Sequence, residues 1–191
     1  MSCKKHRKFI LAAIGSSLSI SLLSACSGEA PQNEAPPTHT EQQEQGTKIS
    51  NPKDLNSVPP CNLLTPEAAI SLGVEPEGRP EENEEAEDEP ACAWGSEDLN
   101  YVITLGPLNQ SIDLYRDSSS FSDYQEMEIA GYPAVRANKG NPDQDGYCSI
   151  FLATSDNQLL HAFTRDSSHV DPCGLAQRTL EKVVPDLPTA K

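Results

Sequence analysis

The chain has six cysteines, and the last four are spaced in a way that predicts disulfide chemistry. They are Cys61, Cys92, Cys148 and Cys173. A structural zinc site usually has close ligand pairs such as Cys-x-x-Cys, and no two of these cysteines are fewer than 25 positions apart. An even number of separated cysteines in a small exported domain instead predicts two disulfide bonds.

Four cysteines allow three pairings, and the pattern of strands and helices favours one of them. Cys148 alternates with apolar residues on a predicted strand and so faces the core, while Cys173 lies in the first turn of a helix that must pack on that core. We therefore expect Cys148–Cys173 together with Cys61–Cys92, since each bond then closes a loop of moderate length. The pairing of Cys61 with Cys173 and of Cys92 with Cys148 stays open.

Histidine is the commonest general base and a common metal ligand, so its placement bears on catalysis. His161 alternates with Leu159 and Phe163 on one predicted strand face, which favours a residue in or beside the core over a catalytic or metal-binding one. His39 lies in a polar N-terminal stretch and His169 comes shortly before the last helix. No G-x-S-x-G elbow and no glycine-rich phosphate loop is present in the sequence. We predict no catalytic residue, no metal site and no cofactor, and therefore not an enzyme.

The stretch Asn141–Gly146, "NPDQDG", is similar to the first half of a calcium-binding loop. Asn141, Asp143 and Asp145 occupy alternate positions, as ligands do in that loop. The twelfth position should be a bidentate Glu, but it is Leu152 within a predicted strand. We expect a polar hairpin turn instead.

Cys26 ends a pattern typical of exported proteins. Basic residues at positions 4, 5, 7 and 8 precede an apolar segment, Phe9 to Leu23, that is shorter than the roughly 20 residues of a membrane span. The sequence "LSAC" ending at Cys26 is similar to the bacterial lipobox. That similarity implies transfer of a diacylglyceryl group to the Cys26 thiol and cleavage just before it. An ordinary signal peptide with an incidental cysteine is the alternative.

The rest of the chain is acidic overall, and its composition distinguishes a tether and an acidic loop from the folded domain. The whole chain has 14 Lys+Arg and 29 Asp+Glu; without the four basic residues of the signal the balance is 10 − 29 = −19. This negative charge opposes binding to nucleic acid, and we predict no nucleic-acid partner. Residues 26–60 are predicted to be a lipidated cysteine followed by a disordered tether rich in Pro and Gln. Residues 75–89 hold nine acidic side chains and are predicted to be a solvated loop, with cation binding as the alternative.

Residues 61–191 are long enough for one domain of helices and strands. Thr65 and Asp171 are predicted N-caps, each followed by proline at the first helical position. Strands are predicted within 92–106, 126–138, 147–155 and 158–165. We expect an α+β fold: an antiparallel sheet of three to five strands with N- and C-terminal helices on one face. Trp94, two positions after Cys92, is expected to pack in the core.

Several of these motifs occur together in one known group of proteins. They are "PPCNLLTPEAAISLG", "CAW", "GYPAV", "YCSIFL" and "DPCGLAQRTLEKVVPDLP". With these motifs in this order, the chain resembles a family of actinobacterial lipoproteins that carry a small secreted domain of unknown function. The resemblance covers about residues 60–188. It implies a membrane-anchored extracytoplasmic domain and implies no activity.

The sequence thus predicts a lipid-anchored lipoprotein on the outer face of the cell membrane. Its predicted partners are the membrane, through the Cys26 lipid, and an envelope protein or wall ligand. A non-enzymatic binding module is the favoured function, and an envelope or wall hydrolase is the alternative.

Overall fold

A computed structural model of the chain describes residues 48–81, 90–116, 118–168 and 170–191. These residues form one antiparallel sheet with the order β1-β2-β3-β7-β6-β5-β4. The strands are β1 Arg79–Glu81, β2 Ala91–Gly95, β3 Tyr101–Leu108, β4 Asp123–Ile129, β5 Tyr132–Asn138, β6 Tyr147–Ser155 and β7 Gln158–Asp166. The α-helices are α1 Pro66–Ser71, α2 Pro142–Asp145 and α3 Pro172–Val183. Short 3-10 turns lie at Pro60–Asn62, Ile112–Tyr115, Ser118–Ser120 and Val184–Asp186.

The predicted α+β fold with three to five strands is wrong, because the described residues form seven strands and only short helices. Stretch 126–138, predicted as one strand, is a hairpin that reverses at Ala130 and Gly131, whose φ angles are 51° and 83°. The turn has the sequence Ala-Gly and not the Asn-Gly that is typical of such hairpins. Because alanine rarely adopts a positive φ, the sequence did not predict a turn here. Stretch 92–106 is likewise two paired strands, and β1 lies within the predicted acidic loop.

Local sequence signals were sufficient to predict where α1 and α3 begin. The Thr65 side chain accepts a hydrogen bond from the Ala68 amide at 3.2 Å, and the Asp171 carboxylate accepts one from the Gly174 amide at 2.8 Å. Both caps satisfy amides that have no partner inside the helix. The predicted caps of these two helices are confirmed.

The folded domain begins before Cys61. Leu55 is 1% exposed, and its amide donates to the Gln158 side chain at 3.0 Å. The Lys53 amide donates to the Thr154 carbonyl at 2.8 Å, and Tyr132 donates its hydroxyl hydrogen to the Asn51 carbonyl. Residues 48–60 are therefore part of the domain and not of a tether. The predicted signal peptide, Cys26 and the rest of the tether lie outside the described residues.

Two disulfides tie helical segments to the sheet. Cys61 pairs with Cys92 and Cys148 pairs with Cys173, as predicted, with Cα–Cα distances of 5.0 and 5.1 Å. The strand register places Cys92 and Cys148 on the same face of the sheet, because directly opposed residues project to one side. Both bonds therefore close over one face, where α3 packs on β6 and β7.

Trp94 packs beside the first disulfide. It is fully buried, on the same strand face as Cys92. A Cβ at Gly78 would lie 2.5 Å from the Cys92 sulfur and 2.5 Å from Trp94, so only glycine fits there without movement. The predicted core role of Trp94 is confirmed.

Within the described ranges, no helix has the length and apolar character needed to cross a membrane.

Candidate functional site

The second face of the sheet carries polar and aromatic side chains, of which Phe151 is buried and the others are half-buried. Strand pairing aligns His161 with Phe151 and Phe163 with Ser149, so these four side chains share the face opposite the disulfides. The segment Ile112–Tyr115 packs on this face over β5 and β6. At the β2 and β3 end, the 3-10 turn Pro60–Asn62 contacts both strands, and its Cys61 is bonded to Cys92 on the disulfide face. Val102 and Thr104 on the second face remain partly exposed, and we call this second face the open face.

A row of rings crosses this face, and we call it the ring row. Tyr115 stacks on Phe151 with centroids 3.8 Å apart, and Phe151 stacks on His161 at 4.5 Å with only 5° between the planes. Phe163 lies 6.5 Å from His161, and Tyr147 lies 6.2 Å from Phe163. Phe151 is buried, whereas the other rings of the row are half-buried. The row is therefore buried at Phe151 and partly accessible to solvent at both ends, at Tyr115 and at Tyr147.

His161 is held uncharged in this row. Its Nε2 atom lies 3.2 Å from the Ser149 hydroxyl oxygen. Burial among the neighbouring side chains lowers the pKa of His161 to about 4, and no charged group contributes to the shift. The imidazole is therefore neutral at physiological pH and adds no charge to the face.

The contact between Ser149 and His161 has the distance of a nucleophile and its general base. An imidazole with a pKa of about 4 is nevertheless a weak acceptor for a hydroxyl proton. In the described part of the chain, no carboxylate is hydrogen-bonded to the ring to orient it as in a catalytic triad. The geometry is that of a packed polar pair on one face of the sheet.

This environment predicts a pH-dependent stability. The unfolded chain takes up a proton on His161 near its ordinary pKa of 6.5, whereas the folded chain does so only near 4. Stability should therefore fall as the pH drops from 7 to 5, by about 2 kcal/mol. Urea unfolding of the wild type and of His161→Phe at both pH values measures this.

The His161→Phe variant keeps a ring in the row and should show a clearly smaller loss between pH 7 and pH 5. Asp166 gives no competing signal in that window. Burial would raise the pKa of Asp166, but hydrogen bonds from Ser168, Asp171 and Val170 outweigh burial and lower it. Its contribution to stability is lost only at lower pH. Equal pH slopes for the two proteins would contradict the assignment to His161.

The calcium-like stretch forms a helical turn and not a ligand loop. Asn141 caps α2 by accepting a hydrogen bond from the Asp143 amide at 3.0 Å, and Gly146 ends the turn with φ 69°. The turn joins the antiparallel strands β5 and β6, as predicted. No cluster of three or more His, Cys, Asp or Glu side chains suited to a metal ion occurs among the described residues.

A cleft of about 490 Å³ beside this turn gathers three aspartates. Asp123 is paired with Arg136 at 2.7 Å, and Asp171 is paired with Arg178 at 3.0 Å. Because two of the three carboxylates are neutralised by arginine, the cleft does not resemble a cation site. His161 does not line this cleft.

Cys26, His39 and His169 lie outside the described residues. Sequence reasoning also missed Ser149 and Phe151 as neighbours of His161. The alternation of Tyr147, Ser149 and Phe151 along one strand signalled a common face, but only the register of β6 against β7 brings that face to His161.

Comparison with known families gives a match to one described as "Protein of unknown function (DUF3558)", over residues 21–186. The chain belongs to the DUF3558 family. The DUF3558 match includes Cys26, all seven strands and both disulfides. No curated protein and no solved structure was found to match the chain. Family membership therefore supplies no activity.

Proposed function

We propose that this DUF3558 protein is an envelope lipoprotein of the actinobacterial type, anchored to the outer face of the cell membrane by lipid on Cys26. We further propose that its folded domain is a non-enzymatic binding module. The ring row on the open sheet face is the observation that carries the binding role.

Both the N-terminal sequence and the disulfide bonds support a lipid anchor at Cys26. The "LSAC" motif follows a basic and then an apolar segment, and the family match takes in Cys26. The four cysteines of the described domain are all joined in disulfides, which form and persist in oxidising compartments outside the cytosol. A lipid of two or three chains then supplies the membrane affinity that an acidic domain lacks.

Replacing the anchor residue should release the protein. In Cys26→Ser no thiol is available for diacylglyceryl transfer, so we expect most of the protein to leave the membrane fraction after salt and carbonate washing. Cys3→Ser is a matched control, because Cys3 precedes the proposed cleavage site and should leave retention unchanged. Full retention of the Cys26→Ser protein would contradict the lipobox interpretation.

The binding role is supported by the chemistry of the open face. Val102, Thr104 and Phe163 lie on it with half-exposed side chains, and the adjacent His161 is uncharged. Apolar and aromatic surface with few charges is typical of the central part of protein interfaces. Arg165, opposite Val102 and Tyr147, is an exposed charged side chain beside this apolar surface.

A photo-reactive residue on this face tests the role. We expect p-benzoylphenylalanine in place of Phe163 to form a specific adduct in intact cells on irradiation. The same residue in place of the exposed Glu181, on α3, should form none, because α3 covers the opposite face. Equal labelling at both positions would contradict a binding role for the ring row. Covalent modification of Ser149 by a fluorophosphonate would instead support the hydrolase alternative.

A further inference from the structure

The strand β4 forms one edge of the sheet. It pairs with β5 through seven residue pairs, from Asp123 opposite Asn138 to Ile129 opposite Tyr132. No other strand among the described residues pairs with its outer side. An open strand edge presents backbone N–H and C=O groups that can bind a further strand.

The hairpin register identifies which backbone groups point outwards. Ile129 and Tyr132 flank a two-residue turn, so they form a hydrogen-bonded pair, and hydrogen-bonded pairs then recur at every second residue. The amides and carbonyls of Tyr124, Glu126 and Glu128 therefore project away from β5. These three residues also share one face of the sheet.

Two of these three outward residues are acidic. The side chains of Glu126 and Glu128 are exposed. The hydroxyl of Tyr124 donates to Glu126 at 2.9 Å, and partial burial together with this carboxylate raises the pKa of Tyr124. No salt bridge to Glu126 or Glu128 occurs in the described part of the chain.

The negative charges of Glu126 and Glu128 indicate which kind of strand can pair with this edge. A second copy paired through β4 would place acidic residues opposite acidic residues, which is unfavourable across a sheet. Opposite charges at the same positions are favourable. The half-buried Met127 alternates with the glutamates and provides an apolar contact on the other face.

We propose that β4 binds an extended basic segment of a partner protein, which adds to the sheet as an antiparallel strand. Residues of this segment opposite Glu128 and Glu126 are Lys or Arg, and the residue between them is apolar and lies beside Met127. The proposal does not depend on the lipid anchor or on the ring row.

Amide hydrogen exchange measured by NMR tests whether a peptide adds to β4. The probe is a twelve-residue peptide with blocked termini and the central sequence Lys-Val-Lys-Thr-Tyr. In the folded protein, saturating peptide should slow the exchange of the Tyr124, Glu126 and Glu128 amides at least tenfold. The amides of Gln125 and Met127, already bonded to β5, should change much less. A peptide with Glu in place of both Lys should protect none of these amides.

Two controls separate strand addition from simple charge attraction. Methylation of the backbone nitrogens of the two Lys residues keeps their charge but removes their backbone hydrogen-bond donors. It should therefore abolish the protection of the β4 amides from exchange. The double variant Glu126→Lys/Glu128→Lys alters only exposed side chains and should reverse the preference towards the Glu peptide. Absence of protection by the Lys peptide, or equal protection by both peptides, would overturn the proposal. The acidic residues would then serve only to prevent edge-to-edge aggregation.

Discussion

Replacing Leu55 by alanine should destabilise the domain by about 3 kcal/mol, although Leu55 lies in a stretch whose composition is that of a linker. The side chain is 1% exposed, and the Leu55 amide is bonded to the Gln158 side chain at the start of β7. Truncation to alanine removes three buried carbon atoms and leaves a cavity that the flanking backbone bonds prevent from closing. Chemical denaturation monitored by Trp94 fluorescence measures the loss.

Leu114→Ala is the matched control for this substitution. Leu114 is 65% exposed, so the same chemical change should cost less than about 0.5 kcal/mol. A chain starting at Cys61 should show a larger loss than Leu55→Ala, because it also lacks Ile49 and the backbone bonds of Lys53. If Leu55→Ala were as stable as Leu114→Ala, residues 48–60 would not belong to the cooperative unit.

Removing the second disulfide should cost about 3 to 4 kcal/mol. The double variant Cys148→Ala/Cys173→Ala frees a loop of 25 residues in the unfolded chain, which raises the entropy of the unfolded state. It also removes the disulfide that joins β6 to α3, whose apolar residues Leu175, Leu180 and Val183 cover the sheet. Unfolding in urea, with the melting temperature as a second measurement, gives the loss.

Reduction of the wild-type protein provides an independent comparison, since it opens both disulfides. We expect the reduced protein to be less stable than the double variant, because the variant keeps the bond between Cys61 and Cys92. A loss below about 1 kcal/mol in the double variant would show that packing alone holds α3 on the sheet. Non-reduced peptide mapping checks the pairing itself.

Features encoded over a few residues could be predicted from the sequence. The caps at Thr65 and Asp171 act on amides three residues away, so the beginnings of α1 and α3 follow from local chemistry. The boundary between β6 and β7 also agrees with the strands predicted within 147–155 and 158–165, because the polar residues Asp156 and Asn157 interrupt two apolar runs. The pairing of Cys148 with Cys173 followed from the direction of one strand residue and one helix residue.

Features that depend on a turn of unusual sequence were missed. Ala130 takes a positive φ in the β4–β5 turn, and Leu99 does so in the β2–β3 connection, although neither residue favours that region. The cost of such a conformation is offset by the strand pairing on both sides, which acts only once the sheet has formed. Two hairpins were therefore counted as single strands, and the open β4 edge was not foreseen.

By itself the sequence determined the two capped helices, the disulfide chemistry and the core position of Trp94, because each depends on neighbouring residues or on the side-chain alternation of one strand. Only the tertiary structure decided the neighbours of His161. Phe151 and Ser149 reach it through the register of β6 against β7, and Tyr115 reaches Phe151 from a segment more than thirty residues away. Register is set by the sum of many long-range contacts, and a slip of one residue would turn His161 to the opposite face. The same dependence explains why Leu55, in a polar stretch, became part of the core.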